Sequence, residues 1–389
     1  MPAEDRVRLH GATIFGAVRV LITVPWGERL GGAEVMLQTL LDGAGGSARE
    51  LEFELVFLED GPWPRELRRR GLQVEVIEAG RLRQPVSALR CVLALAGTLR
   101  RRRPDLIVNW MPKAHLYCAP AAGLARMSGR VVWWQHEITA GHWMDRLATL
   151  LPARAVGCCS RAAAEAQERL RPRRRTFVVA PGVPAPREAS PRPSRAGAGR
   201  TPVVGLVGRL QPWKGQDRLL RAQVLLRERG RRVRTLIVGG DAHGLSGEYA
   251  ASLPGLVDEL GLSDDVTLTG QVPEAGPYIE QMDVLVNASD PEPFGLVLLE
   301  AMARGVAVVA VASGGPAEIV QDGRTGVLAR SGEPAALADA IERVLAEPRL
   351  ARELGEAGRR RYYEHYTAEA MCERLLSRLE ELARDAAPR

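Results

Sequence analysis

Several common features are missing from this 389-residue chain, and each absence argues against a class of protein. No run approaches the roughly 18–20 apolar residues that a membrane-spanning helix needs. Residues 1–16 contain acids and arginines but no apolar signal core, so we expect a chain that is not secreted. The five cysteines lack Cys-x-x-Cys spacing, which favours a reduced, cytoplasmic protein over a disulfide framework. The fingerprint Gly-x-Gly-x-x-Gly is also missing, which argues against an NAD-dependent dehydrogenase.

The net charge of +6 is unevenly distributed. Residues 1–190 hold 28 Lys and Arg against 19 Asp and Glu, a balance of +9, whereas the remaining residues have a balance of −3. The basic excess includes three arginine clusters, at Arg68–Arg70, Arg100–Arg103 and Arg173–Arg175. Each cluster ends a predicted helix, where cations complement the helix dipole, so solvated helix ends are one interpretation. The other is a basic first domain that meets an anionic acceptor or the inner face of the membrane.

Length and hydrophobic pattern predict two domains, because 389 residues exceed one ordinary core. Buried strands alternate with helices twice, seven strands within residues 17–180 and six within residues 203–364. This alternation predicts an α/β protein with two parallel, doubly wound sheets and a cleft between their carboxyl ends, where ligands of such sheets bind.

The other segments are connections and ends. Residues 181–202 contain six prolines and no apolar periodicity, which predicts an interdomain linker. Residues 1–16 are expected to be a loose N-terminal extension. Residues 365–389 are predicted to form a C-terminal helix that crosses back to the first domain.

The segment from Asp290 to Glu300 is the most informative part of the sequence. Two carboxylates, Glu292 and Glu300, stand eight positions apart, and a helix is predicted to start near Gly295 between them. A helix start has unpaired backbone N–H groups and binds phosphate readily. This corner is therefore suited to a pocket that holds both a sugar and the phosphate with which it leaves.

The second domain opens with a strand that ends at Gly208 and is followed by Arg209 and Lys214. The planar fork of arginine and the compact charge of lysine together suit a diphosphate. Lys214 is predicted to lie at the start of the next helix, where a cation opposes the dipole and needs an anion nearby. Gly pairs at Gly239-Gly240 and Gly314-Gly315 also follow strands, and each permits a close backbone approach to a ligand.

These motifs resemble, in order and spacing, the retaining glycosyltransferases of family four, the group 1 type, whose fold of two Rossmann-like domains is called GT-B. The motifs are Gly31-Gly32-Ala33-Glu34, Gly208-Arg209 with Lys214-Gly215, Glu292-Pro293-Phe294-Gly295 with Glu300, and Gly314-Gly315 ahead of Glu318. The resemblance implies that Arg209 and Lys214 hold the diphosphate of a nucleotide-diphospho-sugar. Glu300 would accept hydrogen bonds from the ribose hydroxyls, and Glu292 would contact hydroxyls of the sugar.

The resemblance also assigns parts of the main chain. Backbone N–H groups at Phe294, Gly295 and Leu296 would meet sugar hydroxyls and phosphate oxygens. Main chain at Val272 would pack on the base. The pair Gly31-Gly32 would approach the phosphate from across the cleft.

His136 follows a first-domain strand and matches the family histidine beside the anomeric carbon. With Glu292, Arg209 and Lys214 it completes the expected catalytic set. The acceptor region, Asn109–His115, carries no recognisable specificity signature. We expect Lys113 and either Trp110 or Trp143 to contact a saccharide, lipid-linked or small-molecule acceptor, since sugar rings stack on aromatic faces.

The reaction implied is transfer of a sugar from a UDP-sugar, a GDP-sugar or a similar donor to a hydroxyl, with the α configuration kept. No Asp-x-Asp pair occurs, so no bound metal is expected, and the two cations Arg209 and Lys214 would stabilise the leaving diphosphate. No carboxylate is a good candidate for a nucleophile, which favours attack from the same face.

Two alternatives remain open at this point. A nucleotide-sugar epimerase of the same shape would bind the donor but use no acceptor. A basic nucleic-acid-binding protein would need arginines and aromatic rings along one face, and the carboxylates of the proposed cleft argue against it.

Overall fold

The structure, a computed structural model, describes residues 17–29, 31–45, 51–80, 84–171, 174–186, 200–241, 244 and 246–386. The predicted N-terminal extension and residues 187–199 of the predicted linker lie outside the described residues. Two α/β units, one on each side of the linker, account for the fold.

The first unit is built on a parallel sheet. Its strands are β1 (Val18–Val24), β2 (Leu51–Phe57), β3 (Gln73–Val76), β4 (Leu106–Trp110), β5 (Val131–Gln135), β6 (Ala155–Cys158) and β7 (Thr176–Val178). Its helices are α1 (Gly32–Ala44), α2 (Pro62–Arg69), α3 (Pro85–Arg102), α4 (Pro112–Leu124), α5 (Trp143–Leu150) and α6 (Arg161–Leu170). In the described part of the chain the strand order is β3-β2-β1-β4-β5-β6-β7.

The second unit repeats this plan. Its strands are β8 (Val203–Val207), β9 (Arg234–Val238), β10 (Val266–Leu268), β11 (Val284–Asn287), β12 (Ala307–Val311) and β13 (Val327–Ala329). The helices that follow the linker are α7 (Gln216–Glu228), α8 (Gly247–Glu259), α9 (Gly276–Ile279), α10 (Leu296–Ala303), α11 (Pro316–Ile319), α12 (Pro334–Leu345), α13 (Pro348–His365) and α14 (Ala368–Arg384). The described strands pair in the order β10-β9-β8-β11-β12-β13, all parallel.

Both sheets reverse their strand order at one point, between β1 and β4 in the first and between β8 and β11 in the second. Ligands of open parallel sheets bind outside the carboxyl ends of the strands at such a point. In the first domain, Gly31 lies in the loop after β1 and Trp110 is the last residue of β4. In the second domain, Arg209 lies in the loop after β8 and Glu292 in the loop after β11. The topology therefore brings the sequence motifs to these two positions.

The central strands are largely apolar because helices cover both faces of each sheet. All five residues of β5 and of β12 are buried. The predicted α/β, doubly wound class is confirmed. No helix in the described residues combines the length and apolarity that crossing a membrane requires.

The last helix packs on the first domain. Met371, Cys372 and Leu375 of α14 are buried in the same cluster as Val20 and Met36 of β1 and α1. The chain returns there through the junction of α13 and α14, where the backbone N–H of Val183 donates to the carbonyl of Tyr366 at 3.1 Å. Val183 itself is buried, so this part of the predicted linker is fixed against the helices.

Candidate active site between the domains

Lys214 and Glu292 form a buried ion pair at the carboxyl edge of the second sheet. Nζ of Lys214 lies 2.6 Å from Oε2 of Glu292, and the two side chains are 17% and 8% exposed. Burial lowers the pKa of Lys214, and the charge of Glu292 opposes that shift. The anion that the lysine needs is thus supplied by the protein, from a loop 78 residues further along the chain.

The surroundings of this pair orient it. Lys214 ends a short 3₁₀ turn, Pro212–Lys214, so the prediction that it starts the next helix is wrong by two residues, since α7 begins at Gln216. Its Nζ lies 4.0 Å from the centre of the Trp213 ring, a cation–π contact. Nδ2 of Asn287, at the end of β11, lies 3.5 Å from the same carboxylate oxygen of Glu292. An ammonium group has three N–H donors, so Glu292 leaves two of them for another ligand.

Arg209 faces the first domain across the cleft. A Cβ placed on Gly31 would lie 3.9 Å from Cζ of the Arg209 guanidinium. The side chain is half-buried and forms no salt bridge with any described residue. The charge of Arg209 acts on Glu137, but no described carboxylate forms a salt bridge with the guanidinium, which is thus suited to binding an anion such as a diphosphate.

The helix start predicted near Gly295 is confirmed, because Gly295 caps α10 with φ of +100°. In this left-handed region glycine avoids the steric cost of a side chain. No acceptor among the described residues bonds the backbone N–H of Phe294, Gly295 or Leu296. These groups and the positive end of the α10 dipole make the corner attractive to an anion.

Glu300 lies on α10, just over one turn after Gly295, and is half-buried. Burial raises the pKa of its carboxyl, and the charge of Arg304 partly offsets this effect. Val272 and Leu296 are both partly buried against the same apolar cluster. Phe294 is 6% exposed and packs edge-on against Tyr366, so its ring is structural.

The two glycines of the first domain reach the second domain. A Cβ on Gly32 would lie 3.1 Å from Cδ1 of Leu296, tighter than ordinary van der Waals contact. The backbone N–H of Gly31 donates to Oε2 of Glu34 at 2.8 Å, which fixes the start of α1. Gly31 and Gly32 thus let the main chain approach the start of α10 closely.

The other Gly pairs serve packing within the second domain. A Cβ on Gly239 would lie 2.0 Å from the carbonyl oxygen of Gly208, and one on Gly314 would lie 2.2 Å from that of Glu292. The backbone N–H of Gly315 donates to the same Glu292 carbonyl at 2.9 Å. The close backbone approaches predicted at these glycines are therefore made to other main chain, and those at Gly314 and Gly315 hold the loop of Glu292 in position.

His136 directly follows β5 and is half-buried. Its ring centre lies 4.8 Å from that of Trp110. Nε2 is screened from solvent and has no hydrogen-bond partner in the described chain. Burial lowers the pKa of His136 to about 3, so the ring is neutral at pH 7. A neutral imidazole has one donor and one acceptor nitrogen, and here the hydrogen-bonding capacity of Nε2 is not used by any described residue.

The expectation that the Trp110 ring stacks on an acceptor sugar is wrong for this structure. Trp110 is 1% exposed, and its ring lies stacked against Trp134 with centres 5.3 Å apart. Its Nε1 donates to the carbonyl of Ala33 at 2.9 Å. Trp110 therefore supports the glycine turn at the start of α1 and leaves no open face for a sugar.

The two other acceptor candidates differ in exposure. Lys113 is partly buried, with Nζ 3.8 Å from the centre of the Trp26 ring and 4.0 Å from Oε2 of Glu59. Burial lowers the pKa of Lys113, and Glu59 opposes the shift. Trp143 is 66% exposed at the start of α5, so its ring is open to a ligand.

A contact between the domains was missed from the sequence. Glu318 belongs to the second domain, and its two carboxylate oxygens accept hydrogen bonds at 3.0 Å from the first domain, one from the backbone N–H of Arg161 and one from that of Ala162. These are the first two residues of α6, whose next N–H, on Ala163, is capped by Ser160. The sequence includes Glu318 in a motif with Gly314-Gly315, but it does not predict which residues Glu318 contacts.

Within the described residues, no group of three His, Cys, Asp or Glu side chains is placed to hold a metal ion. The five cysteines are all buried free thiols.

Comparison with known proteins agrees with this geometry. Residues 191–361 match the family described as glycosyl transferases group 1, and residues 30–187 match the family described as glycosyltransferase family 4. The structure is similar to that of HepE from Anabaena in complex with UDP and glucose, with a TM-score of 0.77 and 25% identity over 93% of this chain and 99% of that one.

Curated relatives match part of the chain. It is 39% identical to a D-inositol 3-phosphate glycosyltransferase of Nocardia farcinica over 47% of this chain and 42% of that protein. It is 38% identical to a GDP-mannose-dependent alpha-(1-6)-phosphatidylinositol monomannoside mannosyltransferase of Mycolicibacterium smegmatis, over 46% of this chain and 49% of that protein. The chain thus spans less than half the length of these relatives. Together, the two family matches and the confirmed GT-B architecture show that the chain belongs to the family-four glycosyltransferases of the group 1 type.

Proposed function

We propose that this protein transfers a sugar from a nucleotide-diphospho-sugar to an acceptor hydroxyl and keeps the α configuration at the anomeric carbon. The observation that carries the proposal is the convergence of Arg209, Lys214 and the helix start at Gly295 at the carboxyl edge of the second sheet. Two cations and a set of free N–H groups at one corner match the charge of a diphosphate.

The donor is held from three sides. Arg209 and the two remaining N–H donors of Lys214 bind the diphosphate, while the Gly31-Gly32 turn approaches it from the first domain. Glu300 accepts hydrogen bonds from the ribose hydroxyls, and the main chain at Val272 packs on the base. The base is that of a UDP-sugar, a GDP-sugar or a similar donor, since HepE is described with UDP and the mannosyltransferase as GDP-mannose-dependent.

Glu292 has two roles in this proposal. Oε2 holds the Lys214 ammonium, and Oε1 is assigned to the hydroxyls of the donor sugar. Backbone N–H groups at Phe294, Gly295 and Leu296 meet sugar hydroxyls and phosphate oxygens. A carboxylate engaged by a buried ammonium is a poor nucleophile, so Glu292 orients the sugar and does not attack it.

The chemical step occurs on one face of the sugar. The bond from the anomeric carbon to the diphosphate oxygen breaks, and a bond to the acceptor oxygen forms on the same face. The leaving phosphate oxygen takes the proton of the acceptor hydroxyl. Negative charge grows on the diphosphate as the bond breaks, so Arg209, Lys214 and the start of α10 stabilise the transition state without a metal.

His136 completes the catalytic set. Its neutral ring and unpartnered Nε2 favour a hydrogen bond to a sugar hydroxyl beside the anomeric carbon. A neutral donor or acceptor there orients the sugar without adding a charge that would compete with the diphosphate.

The acceptor is a saccharide, a lipid-linked saccharide or a natural product, and it enters past Lys113 and Trp143. The relatives named above support such acceptors, since their names specify an inositol phosphate and a phosphatidylinositol mannoside. The buried free thiols support a reducing compartment, the cytoplasm. Nucleic acid is not expected as a partner.

The test is incubation of the protein with UDP- and GDP-sugars and a panel of hydroxylated acceptors, in buffer with EDTA. Release of the nucleoside diphosphate together with an α-linked product, identified by mass spectrometry and NMR, is the expected result. Formation of epimerised sugar nucleotide without acceptor would instead assign an epimerase. A β-linked product, or loss of turnover in EDTA, would contradict the same-face, metal-independent reaction.

A further inference from the structure

Exposed apolar side chains are concentrated in the first domain. Of the eleven large hydrophobic side chains that are exposed among the described residues, ten lie before the linker, and only Tyr363 lies after it. Seven of the ten belong to two helices, α3 and α5. Scattered exposed hydrophobics are ordinary, but a concentration of this kind indicates an interaction surface.

The seven side chains form one stripe on each helix. On α3 they are Val86, Leu89 and Leu93, exposed by 63%, 58% and 54%. On α5 they are Trp143, Met144, Leu147 and Leu150, exposed by 66%, 42%, 43% and 71%. Residues at these spacings share a helix face. We call these seven residues the α3–α5 apolar face.

The two helices belong to one layer of the domain. Both α3 and α5 pack against α4, which lies between them and is largely buried. Each of the three helices follows a strand of a parallel sheet, so each begins near the carboxyl edge that borders the cleft. The α3–α5 apolar face is therefore close to the entrance of the proposed acceptor site.

The chain segment that carries this face has an excess of basic residues. Residues 84–171, which contain all three helices, hold 13 Lys and Arg against 5 Asp and Glu. Arg90 and Arg146 stand beside apolar residues of the two stripes, are exposed, and form no salt bridge with a described residue. Apolar side chains flanked by exposed arginines that form no salt bridge match the interfacial layer of an anionic bilayer, where acyl chains and phosphate headgroups lie side by side.

A second copy of the chain is a poorer partner. A symmetric dimer would place the same surface against itself, so the two basic faces would repel each other. We propose that the α3–α5 apolar face binds an anionic lipid bilayer and holds the entrance of the cleft at the membrane surface. This inference does not depend on the transfer reaction.

The experiment is co-sedimentation of the full chain with vesicles of phosphatidylcholine alone and with about 30% phosphatidylglycerol added. We expect binding to the anionic vesicles that weakens when NaCl is raised to about 0.5 M, because salt screens the arginines. Leu147→Ser/Leu150→Ser and Leu89→Ser/Leu93→Ser should each weaken binding about tenfold or more, since two leucines no longer enter the apolar layer. Arg90→Ala/Arg146→Ala should weaken it about tenfold.

Tyr363→Ser is the matched control, because it removes the exposed aromatic ring of the second domain and should leave vesicle binding unchanged. Unchanged melting temperatures and unchanged nucleotide binding would show that the serine variants are folded. Absence of binding to anionic vesicles, or equal binding by the leucine variants, would overturn the inference and leave the proposed function untouched. A dimer in sedimentation velocity that Leu147→Ser/Leu150→Ser dissolves would assign the face to a second copy and would also overturn it.

Discussion

Lys214 and Glu292 meet at 2.6 Å in a largely buried pair, although 78 residues separate them in the chain. The pair joins the loop after β8 to the loop after β11, the two strands at the point where the second sheet reverses its order. In the proposed complex, Lys214 binds the diphosphate and Glu292 binds hydroxyls of the sugar. The ion pair therefore sets the relative position of the two halves of the donor.

Lys214→Met is expected to destabilise the second domain. The substitution leaves the Glu292 carboxylate buried without its cation, and breaking a buried pair in this way costs about 3–5 kcal/mol. Thermal unfolding followed by circular dichroism measures the loss. Arg229→Met, which breaks an exposed pair with Asp339 in the same domain, is the control and should have a much smaller effect. Equal shifts for the two variants would show that the buried pair does not stabilise the fold.

The stability of the protein is expected to fall as the pH drops below about 6.5, the ordinary pKa of histidine. Burial lowers the pKa of both His136 and His115 to about 3. Below pH 6.5 the unfolded chain binds protons that the folded chain does not, so the stability present above that pH is lost as the pH falls toward 3. Each histidine should account for about 2 kcal/mol at about pH 5.

The two histidines provide a matched pair of variants. His115 is fully buried, stacks on Trp133 and lies 3.0 Å from Asn109, whereas Nε2 of His136 has no described partner. His136→Gln and His115→Gln should both flatten the pH dependence of the melting temperature. Only His136→Gln should lower kcat, by about tenfold to a hundredfold. An equal loss of kcat in both variants would mean that His136 acts through the fold alone.

Glu318→Gln is expected to loosen the contact between the domains. The amide keeps one acceptor oxygen but loses the charge and turns an N–H group toward the start of α6. This should weaken the stabilisation of the interdomain contact by about 0.5–2 kcal/mol. A larger radius of gyration in small-angle scattering and a higher KM for the donor should follow. Ser160→Ala removes the cap on Ala163 within the first domain, at a cost of about 1 kcal/mol, and leaves the interdomain contact in place. If Ser160→Ala expands the protein as much as Glu318→Gln, the contact does not hold the domains together.

The strands could be predicted because buried parallel strands are largely apolar and because turn residues mark their ends. All thirteen predicted strands are present, seven before the linker and six after it. The start of α10 was predictable for a local reason, since Pro293 and Gly295 favour a turn directly before the apolar helix.

Contacts between distant segments could not be predicted in the same way. One sequence does not identify Glu292 as the partner of Lys214 or α6 as the helix that Glu318 caps, because these contacts depend on how two loops or two domains pack. One signal was available for the first: the chain has 53 basic residues, and only Lys113 and Lys214 are lysines. In so arginine-rich a chain, a lysine indicates a position that needs a compact cation, and each lysine lies over a tryptophan ring.

Trp110 illustrates a different reason for failure. Its type and its place at the end of β4 fit a sugar-stacking aromatic, and only its burial and its hydrogen bond to Ala33 reveal a supporting role. Trp110 lies at the carboxyl end of a central strand, and its burial depends on the neighbouring rings of Trp134 and His136, which are remote in sequence.

The central claim is that the corner at Arg209 binds the diphosphate of a nucleotide-sugar. Calorimetric titration of UDP and GDP into the wild type, Arg209→Gln and the control Arg229→Gln tests it most directly. We predict that the wild type and Arg229→Gln bind one of the two nucleotides equally, and that Arg209→Gln binds it about tenfold or more weakly, because a charge-assisted bond to phosphate is lost. Binding of neither nucleotide by the wild type, or equal binding by Arg209→Gln, would contradict the account.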